Sequence, residues 1–301
     1  MYDCIIIGGG IAGLQAAIQL GRYEHQVLVV DSDYGRSTLC RAYHNLLGWP
    51  NGVSGDELRK LGREHAEKLG IEFVQDEVVR AEKQGELFTV QGKKEEATYQ
   101  AKRLLLATGV LDRFPPLPGL VPCLGLSVYV CPDCDGYEVK NKRTVVLGAG
   151  NTGASMALTL ISWTDDLVYI NHDQKELKEE FRLKLDQNNI TYIEQPIERV
   201  LTEKEWEFRG VQLTNGEEIR GDKGFIAFGG NEVKSQLAKQ LGIERLENKH
   251  ILTDPRSKMT SVKHVWAAGD VVAHSEQVTI AMGEGSQAAI WIHKSLINEN
   301  K

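Results

Sequence analysis

The stretch CIIIGGGIAG, residues 4–13, decides the fold. Its apolar run, residues 4–7, suits a strand buried on both faces, as in a parallel sheet. Gly8, Gly10 and Gly13 then stand in Gly-x-Gly-x-x-Gly spacing, and an amphipathic helix follows through Leu14, Ala17, Ile18 and Leu20. A second apolar run, residues 27–30, ends at Asp31, twenty-one residues after Gly10. Gly8 makes the turn, Gly10 lets a pyrophosphate approach the backbone, and Gly13 lets the helix pack on the strand. The helix start, with Ile11 and Ala12, offers amide donors and a positive partial charge to phosphates. Asp31 accepts from ribose hydroxyls, and Ser32 beside it joins the candidate set. A ligand-free strand-to-helix turn is the alternative, but strand, helix and acidic residue together favour a dinucleotide.

The plan recurs. Residues 143–147 (RTVVL) read as a strand, GAGNTG (148–153) as the turn, 154–161 as the start of a helix and 167–170 (LVYI) as the next strand. The two units lie about 140 residues apart, which suggests two nucleotide-binding domains on one plan. Another apolar run, 104–106, closes in Ala107-Thr108-Gly109, and VWAAGDVV (265–272) carries Gly269 and Asp270. A helical tail is expected over 286–298, with Ala289, Ile292 and Leu296 apolar. Crossings between domains are expected at 113–116 and 246–249.

Composition narrows the function classes. The 301 residues are 42% hydrophobic and 26% charged, ordinary for a globular chain. Lys+Arg 35 against Asp+Glu 42 gives −7, which gives nucleic acid or an anionic membrane no electrostatic support as partner. No apolar run reaches the roughly eighteen residues of a membrane span. The start, MYDCIIIGGG, lacks the basic region of a signal peptide, so a cytoplasmic location is expected. There the five cysteines, an odd number, argue against a disulfide framework. Cys4, Cys40 and Cys123 read as small buried hydrophobes.

Cys131 and Cys134, in VCPDCDG, form the one constellation. Zinc would need a second cysteine pair or histidines at ligand spacing. No second CxxC exists, and none of the eight histidines, His172, His250, His264 and His274 included, lies within five residues of another, so no metal is expected. A structural disulfide across two residues would constrain too little chain to stabilise much. A redox pair fits, because this spacing opens and closes a disulfide with little backbone change.

Together, GGGIAG, ATG near residue 108 and AAGD near residue 269 resemble the FAD-binding elements of the two-dinucleotide-domain flavoprotein disulfide reductases. VCPDCDG resembles the CxxC-Asp-Gly motif that the low-molecular-weight thioredoxin reductases carry in their second nucleotide domain. The resemblance covers essentially the whole chain. It implies FAD held by Gly8, Gly10, Ile11, Ala12, Gly13, Asp31, Ser32, Asn45, Ala107, Thr108, Gly109, Gly269, Asp270, Gln277 and Val278. Asp270 would take the ribityl and pyrophosphate part, with Gln277 and Val278 beside the isoalloxazine ring. Relatives usually place an arginine before that glutamine, where this chain has Glu276. The resemblance also implies that Cys134 faces the flavin, that Cys131 exchanges with an external thiol or disulfide, and that Asp135 is the acid/base. A helix N-cap is the other role open to Asp135.

Two departures bear on the redox partners. NADPH-using relatives hold the 2′-phosphate with His-Arg-Arg and a further Arg four residues beyond, where this chain has Asn171, His172, Asp173 and Leu177. None is a permanent cation, and Asp173 repels a phosphate, so NADPH is not expected. NADH stays possible through Asn171 or Asp173. The pattern CPxCxGYE at 131–138 and the segment His44-Asn45-Leu46-Leu47-Gly48-Trp49 are similar to dithiol oxidases that close the disulfides of gliotoxin and holomycin. Other such flavoproteins take electrons from ferredoxin. His44 would assist thiol deprotonation, or only hydrogen-bond flavin or backbone.

The expectation is an α/β chain of two Rossmann-like dinucleotide-binding domains of the three-layer ββα type. Residues 1–113 and 248–301 form the FAD domain, and 114–247 form the inserted domain. The expected activity is FAD-dependent thiol/disulfide exchange in a homodimer, with a small dithiol or disulfide or a thioredoxin-like protein as partner. Oxygen or ferredoxin would complete the electron path. An NAD(P)H-dependent thioredoxin reductase and a non-catalytic flavin redox sensor are the alternatives.

Overall fold

The structure is a computed structural model that describes residues 1–94, 97–273 and 275–298. It divides into two compact units: Met1–Thr38 with Gly55–Leu111 and Glu232–Lys301, and Leu39–Ser54 with Asp112–Asn231.

In the first unit, strands Glu72–Gln75, Val27–Asp31, Tyr2–Ile7 and Thr98–Leu106 lie side by side and parallel. On its other edge Thr98–Leu106 pairs with Val265–Ala267 in parallel and with Leu87–Gly92 antiparallel, and Val78–Gln84 follows. Alternate side chains of the central strands enter different cores, as the two-residue strand period requires. Ile5, Ile7, Leu28, Val30, Leu104 and Leu106 pack with Ala81, Phe88 and Val90 of the antiparallel ribbon. Cys4, Ile6, Val27, Val29 and Leu105 pack under helices Ile11–Gly21 and Val278–Ile297, against Ala16, Ala17, Leu20, Ala288 and Ile292. Ribbon, parallel sheet and helices make the expected three-layer α/β architecture.

The second unit repeats the order. Strands Thr191–Ile193, Leu167–Asn171, Thr144–Gly148, Lys223–Ala227 and Val128–Tyr129 form a parallel sheet. One face packs on the antiparallel sheet Ile197–Glu203, Glu207–Leu213 and Glu218–Arg220 through Val145, Leu147, Phe208 and Val211. The other packs on helices Gly150–Leu160 and Glu179–Gln187 through Val146, Tyr169, Ala157 and Leu185.

Three expectations differ from what is seen. The last helix runs Val278–Ile297 and starts well before residue 286. A Cβ on Gly285 would lie 2.2 Å from Ala12 O, so that glycine is a packing contact between helices. The chain returns to the first unit at Glu232 rather than near 248, because Glu232–Val233 pairs antiparallel with Val110–Leu111. Val233, Leu237, Ala238 and Ile243 then enter the first unit's core. Leu39–Ser54 falls with the second unit, where Gly125 (φ +71°) sits against Leu39 O and Arg41 N. Among the described residues, no helix is long and apolar enough to cross a membrane.

Candidate cofactor cradle and redox site

Both glycine turns lie at carboxyl ends of parallel strands, where open α/β sheets bind ligands. At the first, Gly8 has φ +107°, and a Cβ there would meet Ala107 O at 2.3 Å. Gly13 sits so close to Gly8 O that a Cβ would lie 1.9 Å from it, which seats the helix on the turn. A Cβ on Gly10 would meet nothing within 4 Å. Gly10 caps helix Ile11–Gly21 without a side-chain hydrogen bond. This gap at a helix amino end is the cradle a pyrophosphate needs.

Asp31 ends the next strand, and its Oδ2 accepts from Arg59 at 2.8 Å. The same guanidinium reaches Asp33 at 2.9 Å. Arg59 and Asp31 are both largely buried, so the guanidinium orients Asp31 and offsets its charge. Ser32 Oγ donates to Tyr34 O at 3.4 Å. Thr108 Oγ1 donates to Lys234 O at 2.6 Å, between buried Ala107 and Gly109 at φ +66°. Gly269 (φ +80°) packs against Ala12, and its N–H donates to buried Glu284 at 2.9 Å. Glu284 in turn pairs with Lys258 at 2.7 Å. Asp270 accepts from Arg36 at 3.2 Å. Gln277 caps the last helix with extended backbone and no side-chain capping bond, and buried Val278 opens it. Arg36, Arg59 and Glu284 were not among the expected residues. Glu284, a carboxylate in an otherwise apolar helix start, carried the one sequence signal of a buried partner.

In the second unit, strand Val128–Tyr129 leads to Cys131, which is extended and precedes the turn Pro132–Asp135. Pro132 suits the first position of such a turn, where its missing N–H costs nothing. Cys134 and Asp135 both donate backbone N–H to Cys131 O, at 3.3 and 3.0 Å. The two Sγ atoms stand 2.7 Å apart. The Cys134 thiol donates to Cys131, which lowers the Cys131 pKa and raises that of Cys134. Cys131 is therefore the sulfur that ionises first.

Asp135 is pushed up to about 7, first by burial and then by the charge of Glu138, while Lys223 opposes the rise. It precedes the 3-10 turn Gly136–Val139 but makes no capping hydrogen bond, so the N-cap role is not seen. Lys223 Nζ donates to Tyr129 Oη at 2.9 Å and to Leu126 O at 3.1 Å. Burial of Lys223 lowers its own pKa. Cys40 is pushed up to about 12 by burial, then by Asp135, and stays a thiol. Cys4 and Cys123 are buried and raised likewise. His44 and Asn45 are exposed, with the His44 ring against Gly52.

The second glycine turn has the spacing of the first but different surroundings. Asn171 is fully buried, and its Oδ1 accepts from Gly150 N–H at 2.8 Å. Its Nδ2 donates to Lys175 O and Tyr192 Oη at 2.7 and 3.0 Å. Tyr169 Oη donates to Gly150 O at 2.7 Å. Lys178 N–H donates to Asn151 at 3.0 Å, which ties the following loop to the helix start. His172 Nδ1 accepts from Ile197 N–H, and Asp173 pairs with Lys175. His274 lies outside the described residues.

An open phosphate turn in one Rossmann-like unit and a paired-cysteine centre in the other define a thioredoxin-reductase-like flavin disulfide oxidoreductase, an enzyme acting on sulfur groups. The sequence model of the pyridine nucleotide-disulphide oxidoreductase family matches residues 2–285, and the chain belongs to that family. The glucosaminate ammonia-lyase of Pseudomonas fluorescens is 30% identical over 305 residues, covering 95% of this chain and 93% of the relative. The thioredoxin reductase of Mycolicibacterium smegmatis is 28% identical, covering 96% and 95%. The crystal structure of HlmI superposes with a TM-score of 0.88 at 32% identity, covering 99% of this chain and 93% of that one. The family implies FAD, and the first turn fits it: left-handed Gly8, the gap above Gly10 and Asp31 at the strand end match a dinucleotide.

Proposed function

We propose that this protein passes electron pairs between an external dithiol or disulfide and FAD through Cys131 and Cys134, without NADPH. The observation that carries the reading is Asn171. The Gly150 N–H that would receive a nucleotide phosphate is bonded to that buried side chain. Residues 172 and 173, where a 2′-phosphate would need cations, are a histidine engaged with Ile197 and an aspartate. NADH remains the pyridine nucleotide to test, since it needs no such cations. FAD falls to the first unit, and the second unit carries the cysteines.

In the dithiol-oxidising direction, a substrate thiolate attacks Cys131 Sγ of the disulfide. The Cys131–Cys134 bond breaks and Cys134 leaves as a thiolate. The second substrate thiol loses its proton and attacks the first substrate sulfur, so the substrate disulfide forms and Cys131 is released. Bound FAD supplies the two-electron acceptor that restores the cysteine disulfide. Asp135, titrating at about 7, takes the proton as the thiol is oxidised. His44 assists deprotonation of the incoming thiol or contacts the flavin with Asn45. Gly8, Gly10, Ile11, Ala12, Gly13, Asp31 and Ser32 hold the adenosine diphosphate part. Ala107, Thr108, Gly109, Gly269, Asp270, Gln277 and Val278 hold the flavin part.

Oxygen or a ferredoxin-type iron–sulfur protein takes or gives the electrons on the flavin side. The external partner is a small dithiol or a thioredoxin-like protein, the latter supported by relatives named thioredoxin reductase. The protein acts as a cytoplasmic homodimer. Anaerobic titration with NADPH, NADH and dithiothreitol, following the flavin absorbance, tests the reading. Bleaching by the dithiol alone is expected. Prompt bleaching by NADPH would restore an ordinary thioredoxin reductase.

A further inference from the structure

Two acidic side chains meet where the first unit's sheet hands over to its last helix. Asp270 follows strand Val265–Ala267, and Glu276 directly precedes Gln277, the cap of helix Val278–Ile297. Between them stands Arg36, from the segment after Asp31. Its Nη1 is 3.2 Å from Asp270 Oδ2 and also contacts Glu276 Oε2. His250 Nε2 lies 3.4 Å from Glu276 Oε1. All four side chains are largely buried, between 15% and 30% exposed.

The charges explain why the arrangement matters. Glu276 suits the positive end of its helix. Yet a carboxylate there, with Asp270 beside it, repels any anion bound at the same helix end, including a pyrophosphate or a reduced flavin. One guanidinium serving both carboxylates offsets one of the two negative charges and fixes the spacing of residues 270 and 276. A planar fork can serve two acceptors at once, whereas an ammonium acts as a point charge.

We propose that Arg36 is a positioning residue for FAD. It clamps Asp270 to Glu276, so that Asp270 and Gln277 are held at flavin spacing and the charge of Glu276 is neutralised. The proposal rests on the FAD reading of the first unit.

The test compares wild type with Arg36→Met, Arg36→Lys, Glu276→Gln and the double variant Arg36→Met/Glu276→Gln. Each apoprotein is titrated with FAD by flavin fluorescence, its thermal midpoint is recorded, and the midpoint potential of the reconstituted flavin is measured. Arg36→Met is expected to weaken FAD binding roughly tenfold or more and to lower the flavin potential. Arg36→Lys should recover part of both. The double variant should recover only the part of the loss that comes from the charge at position 276, because the clamp on Asp270 is still gone. Arg36→Met binding within about twofold of wild type would overturn the clamp, as would a double variant no better than Arg36→Met. Wild-type apoprotein that takes up no FAD would instead overturn the cofactor reading itself.

Discussion

A methyl group on Gly10 would meet nothing within 4 Å, whereas one on Gly150 would stand 3.1 Å from Lys175 Cβ and 3.5 Å from Glu176 O. The two positions are equivalent in their turns, and the strand that follows each ends in Asp31 or Asn171. Asp31 is held from outside the turn by Arg59. Asn171 bends inward and takes the turn's own amide. One Gly-x-Gly-x-x-Gly turn is therefore open to a ligand, while the other is completed by its own chain. The spacing specifies the turn, and the residue at the next strand end together with its loop decides what fills it.

The sharpest way to break this comparison is to change both glycines alike. Gly10→Val should fold, since its own chain leaves room, but FAD affinity should fall by on the order of 100-fold, about 3 kcal/mol. Gly150→Val should instead lower the thermal midpoint while keeping the yellow colour, because φ is +50° there and the site is crowded. Full FAD content in Gly10→Val would end the distinction.

A comparable effect concerns the route that electrons take if the second turn is closed. Asp135→Asn should slow dithiol-driven flavin bleaching roughly 100-fold at neutral pH and remove its inflection near pH 7. The same group shapes stability. The folded chain keeps the proton up to about pH 7 and the unfolded chain only to its ordinary 3.8. Stability from Asp135 is thus present below 3.8 and lost progressively as pH rises to about 7. Thermal midpoints of Asp135→Asn should lack that decline, and an unchanged pH profile would remove Asp135 from the chemistry.

The smallest change is Asn171→Ala. It should cost about 1–3 kcal/mol by stripping a partner from a buried N–H, with FAD content unaltered. NADH is expected to leave the flavin yellow in this variant too, as the loop through Lys178 still covers the turn. Bleaching by NADH would show that Asn171 alone keeps the nucleotide out.

Features carried by neighbouring residues were legible in the sequence. The strand, turn and helix of each unit follow from runs of a dozen residues, and the cysteine pair declares its spacing directly. Long-range partners were not. Arg36 meets Asp270 across 234 residues, and nothing in its own surroundings marks it. Lys223 reaches Tyr129 across 94. Asn171 was recognised as a departure from Asp31, but its inward bond depends on how loop 172–178 folds over the turn.

The closed second turn also bears on what a phosphate site there would require. Placing arginines at 172, 173 and 177 would supply a phosphate with counter-charges, yet leave the Gly150 amide bonded to Asn171 and the loop tied to Asn151. Replacing Asn171 alone opens an amide without giving it a ligand and weakens the fold. Neither step is useful without the other. A nucleotide-phosphate site on this turn therefore requires a freed Gly150 amide and new cations together, and neither change alone supplies it.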